Sequence, residues 1–270
     1  PELIPNEKIS EKTKDNTRKV YAMVTNIDDN LKKLFNKVDE LGIKDNTIVI
    51  FMTDNGPQHA RYIAGMKGRK SSVYNGGIRV PFFLRFPAMF SGNQEVNQFT
   101  AHIDLLPTLS KLCNVEMPRD RKIDGRSFIP SINSEKLPER SFFSYWTRKY
   151  PELYNNIALQ RGQFKLIGKT DYNSPIENFE LYDTYNDPFE KNNLVTQKKS
   201  IALSLKKEMH QTFLELVNSE NLINPPRIML GSDFENPVFL NRNDAGGQRA
   251  VWNQEQAYSF WKVDINQEGL

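Results

Sequence analysis

The sequence predicts an α/β fold in which a mostly parallel sheet with flanking helices is followed by a small antiparallel sheet and a helix. Two observations carry this prediction. Between about residues 16 and 115, helical and strand-like segments alternate, which is typical of parallel sheets. Beyond about residue 130, strand-like segments follow one another with polar turns between them, which is typical of an antiparallel sheet.

The first half begins with a helix and a strand. Over residues 16–41, apolar side chains recur every three or four positions, and Gly42 supplies a stop. The segment TIVIFMT (47–53) is short, β-branched and apolar throughout, which predicts a strand covered on both faces. The segment VPFFLRFP (80–87) predicts a second such strand, and HIDLLPTLSKLCNV (102–115) predicts a helix after it.

The second half of the sequence has a different pattern of predicted secondary structure. Three segments predict the antiparallel strands: RSFFSYWTRKY, YNNIALQRGQFKLIGK and FELYDTYNDPFEKNNL. An amphipathic helix over 200–220 closes this part. We therefore predict a larger α/β part over residues 1–130, an antiparallel subdomain over 131–224, and the opening of a β-rich extension over 225–270.

Composition limits the function classes. With 270 residues, 38% of them hydrophobic, the chain can build a core. Its 36 basic and 33 acidic residues nearly balance, which argues against a general nucleic-acid partner. The single cysteine, Cys113, excludes an internal disulfide and a cysteine-rich zinc site. No apolar run reaches membrane-spanning length, and the expected location is periplasmic or secreted.

A carboxylate and an amide follow the first predicted strand. Asp54 and Asn55 lie where ligands bind in open α/β sheets, beyond the carboxyl end of a strand. Their side-chain oxygens suit Ca²⁺ or Mg²⁺ better than zinc. Asp-Asn-Gly-Pro is also a common turn sequence, so the tetrapeptide alone leaves both a metal site and a plain turn open.

A basic, glycine-rich loop comes next. Five potential cations lie in it: His59, Arg61, Lys67, Arg69 and Lys70. Positive side chains that converge near a metal suit a sulfate or phosphate group, whereas a basic run that stays solvated is the common alternative. Together with the preceding carboxylate, the loop favours an anion site.

The stretch from Thr47 to Phe83 resembles the second half of a type I, formylglycine-dependent sulfatase of the alkaline-phosphatase-like superfamily. The resemblance implies that Asp54 and Asn55 bind calcium, and that Lys70, four residues before Tyr74, contacts the sulfate and the leaving oxygen. Further segments agree with that family in the same order: HIDLLPTL, IDGRSF and LYDTYNDPFEKNNL. The resemblance covers roughly residues 14–220.

Three features depart from the family pattern. Asn75 replaces the motif's glutamate, whose role we expect to be weakened, and Ser71 replaces the glycine after the lysine. The family's nucleophile motif, Cys or Ser followed two residues later by Pro and four later by Arg, is missing, and Cys113 does not fit it. We therefore expect a C-terminal part that is inactive alone, with the formylglycine in a missing N-terminal part.

The resemblance implies hydrolysis of a sulfate ester, either an aryl sulfate or a sulfated carbohydrate. His59 and Arg61 are candidate substrate contacts beside Lys70, and calcium is preferred over magnesium. Two alternatives stay open at this point. One is a phosphomonoesterase or phosphonate hydrolase of the same superfamily, since phosphate and sulfate share a shape. The other is a non-catalytic protein that binds an anion or a partner.

Overall fold

A computed structural model of the chain describes residues 10–59, 62–147, 150–247, 256 and 258–266. It distinguishes two compact units, one ending at Thr212 and the other beginning at Phe213. The helices are α1 (Glu11–Glu40), α2 (Asn75–Ile78), α3 (Leu105–Leu112), α4 (Ile129–Ile132), α5 (Lys199–Val217) and α6 (Glu220–Ile223). The strands are β1 (Val49–Met52), β2 (Phe82–Arg85), β3 (Ser141–Tyr145), β4 (Asn155–Arg161), β5 (Phe164–Lys169), β6 (Glu180–Asp183), β7 (Ile228–Leu230), β8 (Gly246–Gly247), β9 (Ser259–Phe260) and β10 (Val263–Ile265).

Residues at both ends of helix α1 determine where the helix begins and ends. The Oγ atom of Ser10 accepts a hydrogen bond from the backbone N–H of Thr13 (3.3 Å), which caps the first turn. Gly42, two residues beyond the helix, has a φ of +65°, a left-handed conformation that glycine adopts without steric cost. The helix predicted over residues 16–41 is confirmed. Part of its apolar stripe lies exposed, as at Met23 (63%).

Strands β1 and β2 pair antiparallel with each other, with Met52 opposite Phe82. The mostly parallel arrangement predicted for this region therefore does not hold for this pair. The segment between them turns back beside the end of β1, where the N–H of Gly56 donates to the carbonyl of Gly77 (2.8 Å). A parallel neighbour would instead require a connection that crosses a face of the sheet.

This strand pair is packed on one face. The ring of Phe82 lies edge-on to the buried ring of Phe128, with 5.6 Å between their centroids. On the opposite face, the side chains of Phe51 and Phe83 lie 42% and 65% exposed. The prediction of strands covered on both faces is wrong here, because an unbroken apolar run contains no alternation that would distinguish a covered face from an open one.

The helix predicted after β2 is present as α3, preceded by a 3₁₀ turn at His102–Asp104. Asp104 organises this region and is 1% exposed. Its Oδ1 accepts the backbone N–H of Arg126 (2.9 Å), and its Oδ2 accepts the backbone N–H of Ala101 (2.9 Å) and pairs with the Arg140 guanidinium. A buried carboxylate satisfied in this way ties three chain segments together.

The predicted antiparallel sheet is confirmed as the four strands β3–β4–β5–β6, each paired with the next along the chain. Its core contains the side chains of Ile157, Leu166 and Leu181, all fully buried. Burial in the two central strands is consecutive, over residues 157–160 of β4 and 165–168 of β5, so this part of the sheet is covered on both faces. The sheet supplies a rigid support for the loop that carries the predicted site.

Helix α5 is tied to this sheet by buried and polar contacts. Leu205 and Met209 are fully buried, as the predicted amphipathic pattern requires. Nη1 of Arg161 in β4 donates to Oε2 of Glu208 (2.7 Å), and the Tyr154 hydroxyl lies 3.0 Å from Nδ1 of His210.

The second unit contains the last short strands. Strands β7 and β10 pair in parallel, and strands β8 and β9 pair antiparallel. The domain boundaries predicted at residues 130 and 224 stay predictions. None of the helices in the described part of the chain combines the length and the apolar character needed to cross a membrane.

Candidate anion and metal site

The predicted metal pair lies in the turn directly after β1. Nδ2 of Asn55 donates to Oδ1 of Asp54 (2.9 Å) and to the carbonyl of Gly56 (3.2 Å). This orientation leaves Oδ1 of Asn55 and Oδ2 of Asp54 as hard oxygen donors, which fits Ca²⁺. Among the described residues, no group of three or more His, Cys, Asp or Glu side chains is placed to hold a metal. A calcium site that used this pair would therefore need further ligands.

Glycine is required where this turn contacts the Gly-Gly motif. A Cβ atom at Gly56 would lie 1.9 Å from the carbonyl oxygen of Gly76, far inside van der Waals contact. The 2.8 Å hydrogen bond from Gly56 N–H to Gly77 then fixes the turn against α2. Backbone contact this close is available only to residues without a side chain.

Lys70 lies beside the same turn. Its backbone N–H donates to the carbonyl of Pro57 (3.0 Å), two residues beyond Asn55, and its side chain is exposed. Ser71, the next residue, has a φ of +71°. The structure thus brings the backbone of Lys70 next to the turn formed by Asp54 and Asn55.

Lys67, three residues earlier, is bound to an acidic and aromatic cluster. Its Nζ donates to Oε2 of Glu180 (2.9 Å) and to the hydroxyl of Tyr182 (2.9 Å). The same Nζ lies 4.3 Å from the ring centroid of Tyr74, a cation–π distance. Lys67 therefore anchors the loop, and its ammonium group is already paired with Glu180.

Glu180 is the centre of that cluster. Its Oε2 also accepts hydrogen bonds from the hydroxyls of Tyr74 (2.7 Å) and Tyr182 (2.6 Å). Burial raises the pKa of Glu180, but the hydrogen bonds from Tyr182, Lys67 and Tyr74 together outweigh it, so the pKa lies below its usual value. The carboxylate is therefore charged at neutral pH. It binds Lys67 and Tyr74, the two ends of the loop that carries Lys70 (residues 67–74, called the Lys70 loop).

Asn75 occupies a second, fully buried polar network. Its Oδ1 accepts a hydrogen bond from Nζ of Lys165 (3.0 Å), which also donates to Oε1 of Glu190 (2.7 Å). The backbone N–H of Asn75 donates to Oε2 of Glu190 (2.7 Å). Burial lowers the pKa of Lys165, and the neighbouring Glu190 carboxylate opposes that shift. A carboxylate is thus present beside position 75, supplied by a different part of the chain.

A third link joins the loop to β4. Nδ2 of Asn156 donates to the carbonyl of Ser71 (3.0 Å) and to the carbonyl of Trp146 (3.0 Å). The sequence contained a weak signal for Glu190, which lies in the DPFE segment, and none for Lys165 or Asn156.

The remaining predicted contacts are placed as follows. His59 lies exposed four residues beyond Asn55. Arg61 lies outside the described residues. His102 reaches the end of β1, where its Nε2 lies 3.0 Å from the carbonyl of Thr53. Because a carbonyl oxygen only accepts, Nε2 carries the proton in this contact.

Comparison with known proteins decides the family. The family described as N-sulphoglucosamine sulphohydrolase, C-terminal, matches residues 68–219, more than half of the chain, and the family described as Sulfatase matches residues 5–115. The chain belongs to the sulfatase family. The predicted alkaline-phosphatase-like α/β fold is thereby confirmed, since solved sulfatases share it.

Several curated sulfatases are similar to this chain. An N-acetylgalactosamine-6-O-sulfatase of Bacteroides thetaiotaomicron is 28% identical over 68% of the chain and 39% of its own length. An ulvan-active sulfatase of Formosa agariphila is 28% identical over 77% of the chain and 46% of its length. The steryl-sulfatase of Rattus norvegicus is 33% identical over 42% of the chain and 22% of its length. The chain therefore spans less than half the length of these curated relatives.

Two solved structures extend the comparison. Ps i-CgsB, also solved in complex with k-i-k-neocarrahexaose, aligns with a TM-score of 0.64 at 25% identity, over 77% of this chain and 44% of its own. A protein solved in complex with its substrate D-glucosamine-2-N,6-O-disulfate aligns with a TM-score of 0.51 at 27% identity, over 72% and 38% of the two chains.

Proposed function

We propose that the protein hydrolyses sulfate esters of carbohydrates, and that this chain supplies the Lys70 side of the active site. One observation carries the proposal. In a member of the sulfatase family, an exposed lysine lies on a loop whose backbone is hydrogen-bonded to the turn of the two candidate metal ligands. The carbohydrate class is favoured over aryl sulfates because several similar proteins are named for sulfated sugars or were solved with carbohydrate ligands.

Lys70 has the chemistry that cleavage of a sulfate ester needs. Negative charge builds on the leaving oxygen as the sulfur–oxygen bond breaks, and an ammonium group hydrogen-bonds that oxygen more strongly in the transition state than in the bound ester. A lysine side chain also neutralises a sulfate oxygen as a compact point charge. We therefore assign Lys70 the roles of sulfate contact and stabiliser of the leaving oxygen.

Asp54 and Asn55 are the proposed protein ligands of calcium. A bound calcium ion would neutralise sulfate oxygens and so lower the repulsion that an incoming nucleophile meets. The remaining ligands and the formylglycine belong, in this proposal, to residues beyond those described. His59 and Arg61 complete the proposed set as substrate contacts near Lys70.

The experiment is a panel of esters offered to the complete gene product. Released sulfate is measured from 4-nitrocatechol sulfate, from 6-sulfated N-acetylhexosamines and from a sulfated galactan oligosaccharide, with 4-nitrophenyl phosphate as the comparison. We expect sulfate release, fastest from a carbohydrate ester. Hydrolysis of the phosphate ester alone would contradict the proposal in favour of a phosphomonoesterase. Binding of the esters without turnover would favour a non-catalytic role.

A further inference from the structure

The side chain of Asn156 contacts the Lys70 loop, although the pairing of strand β4 with its neighbours does not depend on this contact. Asn156 lies in β4 at an irregularity of the β4–β5 pairing, between Asn155 and Ile157. Its side-chain amide donates to the carbonyl of Ser71 (3.0 Å), the residue directly after Lys70. The same amide nitrogen donates to the carbonyl of Trp146 (3.0 Å), so a single NH₂ group bridges two chain segments far apart in sequence.

The backbone conformation of Asn156 indicates why this residue is an asparagine and not a glycine. Its φ is +56°, a left-handed conformation that costs most residues free energy and costs glycine none. Asparagine tolerates this region better than other side chains do, yet glycine would suit the backbone alone. What asparagine adds at this position is the amide, and the amide is used on Ser71 and Trp146. Backbone strain of this kind is often found at functional sites.

The two flanks of Lys70 are therefore held by two different segments of the chain. The N–H of Lys70 is held by the carbonyl of Pro57, in the segment that follows the metal-ligand turn. The carbonyl of Ser71 is held by Asn156, in the antiparallel sheet. Ser71 itself is left-handed, with a φ of +71°, so its peptide orientation depends on external support.

We propose that Asn156 is a positioning residue for Lys70: its amide fixes the peptide after the lysine and thereby the direction in which the ammonium group leaves the loop. The inference rests on the proposed function, because it assigns Asn156 a share in the same reaction. A displacement of about 1 Å at a reacting group can cost about 100-fold in rate, so loosening this peptide affects the transition state more than substrate binding.

The test variant is Asn156→Gly in the complete gene product. Glycine accepts the left-handed backbone and removes only the amide. The matched control is Asn114→Gly, since Asn114 is an exposed asparagine with a φ of +53° in the turn after α3. For sulfate release, we expect kcat to fall at least about tenfold in Asn156→Gly with KM changed less than about threefold, and neither constant to change in Asn114→Gly.

A double-mutant cycle separates this inference from the proposed function. If Asn156 acts through Lys70, the Asn156→Gly change should have no further effect on the residual kcat in a Lys70→Ala background, where no ammonium group is left to position. Equal losses in both backgrounds would overturn the positioning role. An unchanged kcat in Lys70→Arg and in Lys70→Ala would instead refute the assignment of Lys70, whatever Asn156 does.

Hydrogen exchange supplies a readout that does not depend on turnover. The amide of Lys70 is protected by its bond to Pro57, and that of Ser72 by its bond to the carbonyl of Arg69 (3.0 Å). We expect Asn156→Gly to accelerate exchange severalfold in a peptide covering residues 66–74 and to leave α5 unchanged. Unchanged exchange in residues 66–74 would overturn the proposal, and equal acceleration in both regions would show a general loss of stability instead.

Discussion

The Nζ atom of Lys67 lies 2.9 Å from Oε2 of Glu180, and the same carboxylate oxygen accepts hydrogen bonds from two tyrosine hydroxyls. This ion pair separates the roles of two lysines that lie three residues apart. Lys67 holds the loop to β6, whereas the side chain of Lys70 is exposed, and its backbone lies beside the turn of the proposed ligands Asp54 and Asn55. One lysine thus anchors the loop, and the other keeps an exposed side chain on it.

The first prediction concerns acid stability. Because the folded-state pKa of Glu180 lies below the unfolded one, its contribution to stability is present above the unfolded pKa and is lost as the pH falls through the folded one. We expect Glu180→Gln to lower the free energy of unfolding at pH 7 and to have a progressively smaller effect as the pH falls below the ordinary glutamate pKa of about 4.3 and through the lowered pKa of the native carboxyl. Urea unfolding at several pH values measures this.

The control for that experiment is Glu135→Gln, which alters an exposed glutamate of the same unit. Its effect on the free energy of unfolding should be small at every pH. A Glu180→Gln effect that stayed constant from pH 7 into the acid range would show that the carboxylate is not the source of the stabilisation.

The second prediction concerns the buried pair of Lys165 and Glu190, whose side chains are at most 1% exposed. Lys165→Met should lower the free energy of unfolding by about 3–5 kcal/mol, because it leaves the Glu190 carboxylate buried without a counter-charge. The exposed pair of Lys199 and Glu177 is the matched control, and Lys199→Met should cost no more than about 1 kcal/mol. Similar costs at the two sites would refute the buried arrangement.

The third prediction concerns the close backbone contact at Gly56. A Cβ atom there meets the carbonyl oxygen of Gly76, so Gly56→Ala must separate the turn after β1 from α2. We expect a loss of about 1–3 kcal/mol in the free energy of unfolding together with a large loss of activity.

Gly92→Ala is the control for Gly56→Ala, because a Cβ atom at Gly92 meets nothing within 4 Å. It should change the free energy of unfolding by no more than about 0.5 kcal/mol and leave activity intact. Equal stability of the two variants would mean that the turn and α2 are not in contact.

The fourth prediction concerns calcium. If Asp54 supplies a ligand oxygen, adding calcium to metal-free complete gene product should raise its melting temperature, since calcium present at about 100 times its Kd stabilises by about 2.7 kcal/mol. Asp54→Asn should abolish most of that rise, whereas Asp28→Asn, on the exposed surface of α1, should preserve it. An equal calcium response in Asp54→Asn would remove Asp54 from the ligand set.

The sequence predicted the parts of the fold that have strong local patterns. The helical stripe of α1, the antiparallel strands β3 to β6 and the helix α5 are each visible as periodicity or as turn chemistry. The relative direction of β1 and β2 could not be predicted, because their sequences are equally compatible with parallel and antiparallel pairing. Only the path of the loop between them decides which pairing forms.

The candidate site residues stay predictions, and they were drawn from a single segment of the chain. Asp54, Asn55 and Lys70 were identified within one stretch of chain, whereas their supports come from distant strands. The burial of Lys165 was not predicted, because a charged residue in a strand is normally exposed. Its buried partner Glu190 is also 25 residues away in the sequence. Asn156 was not singled out from the sequence, because a hydrogen bond between residues 85 positions apart has no local signature.

The most direct test of the account is the effect of Lys70→Ala on sulfate release by the complete gene product, with Lys111→Ala, an exposed lysine on α3, as the control. We predict that Lys70→Ala lowers kcat for the best carbohydrate ester by at least about 100-fold, the usual cost of removing a donor that stabilises developing negative charge. Lys111→Ala should leave kcat unchanged. Full turnover in Lys70→Ala would contradict the placement of the sulfate group at this loop.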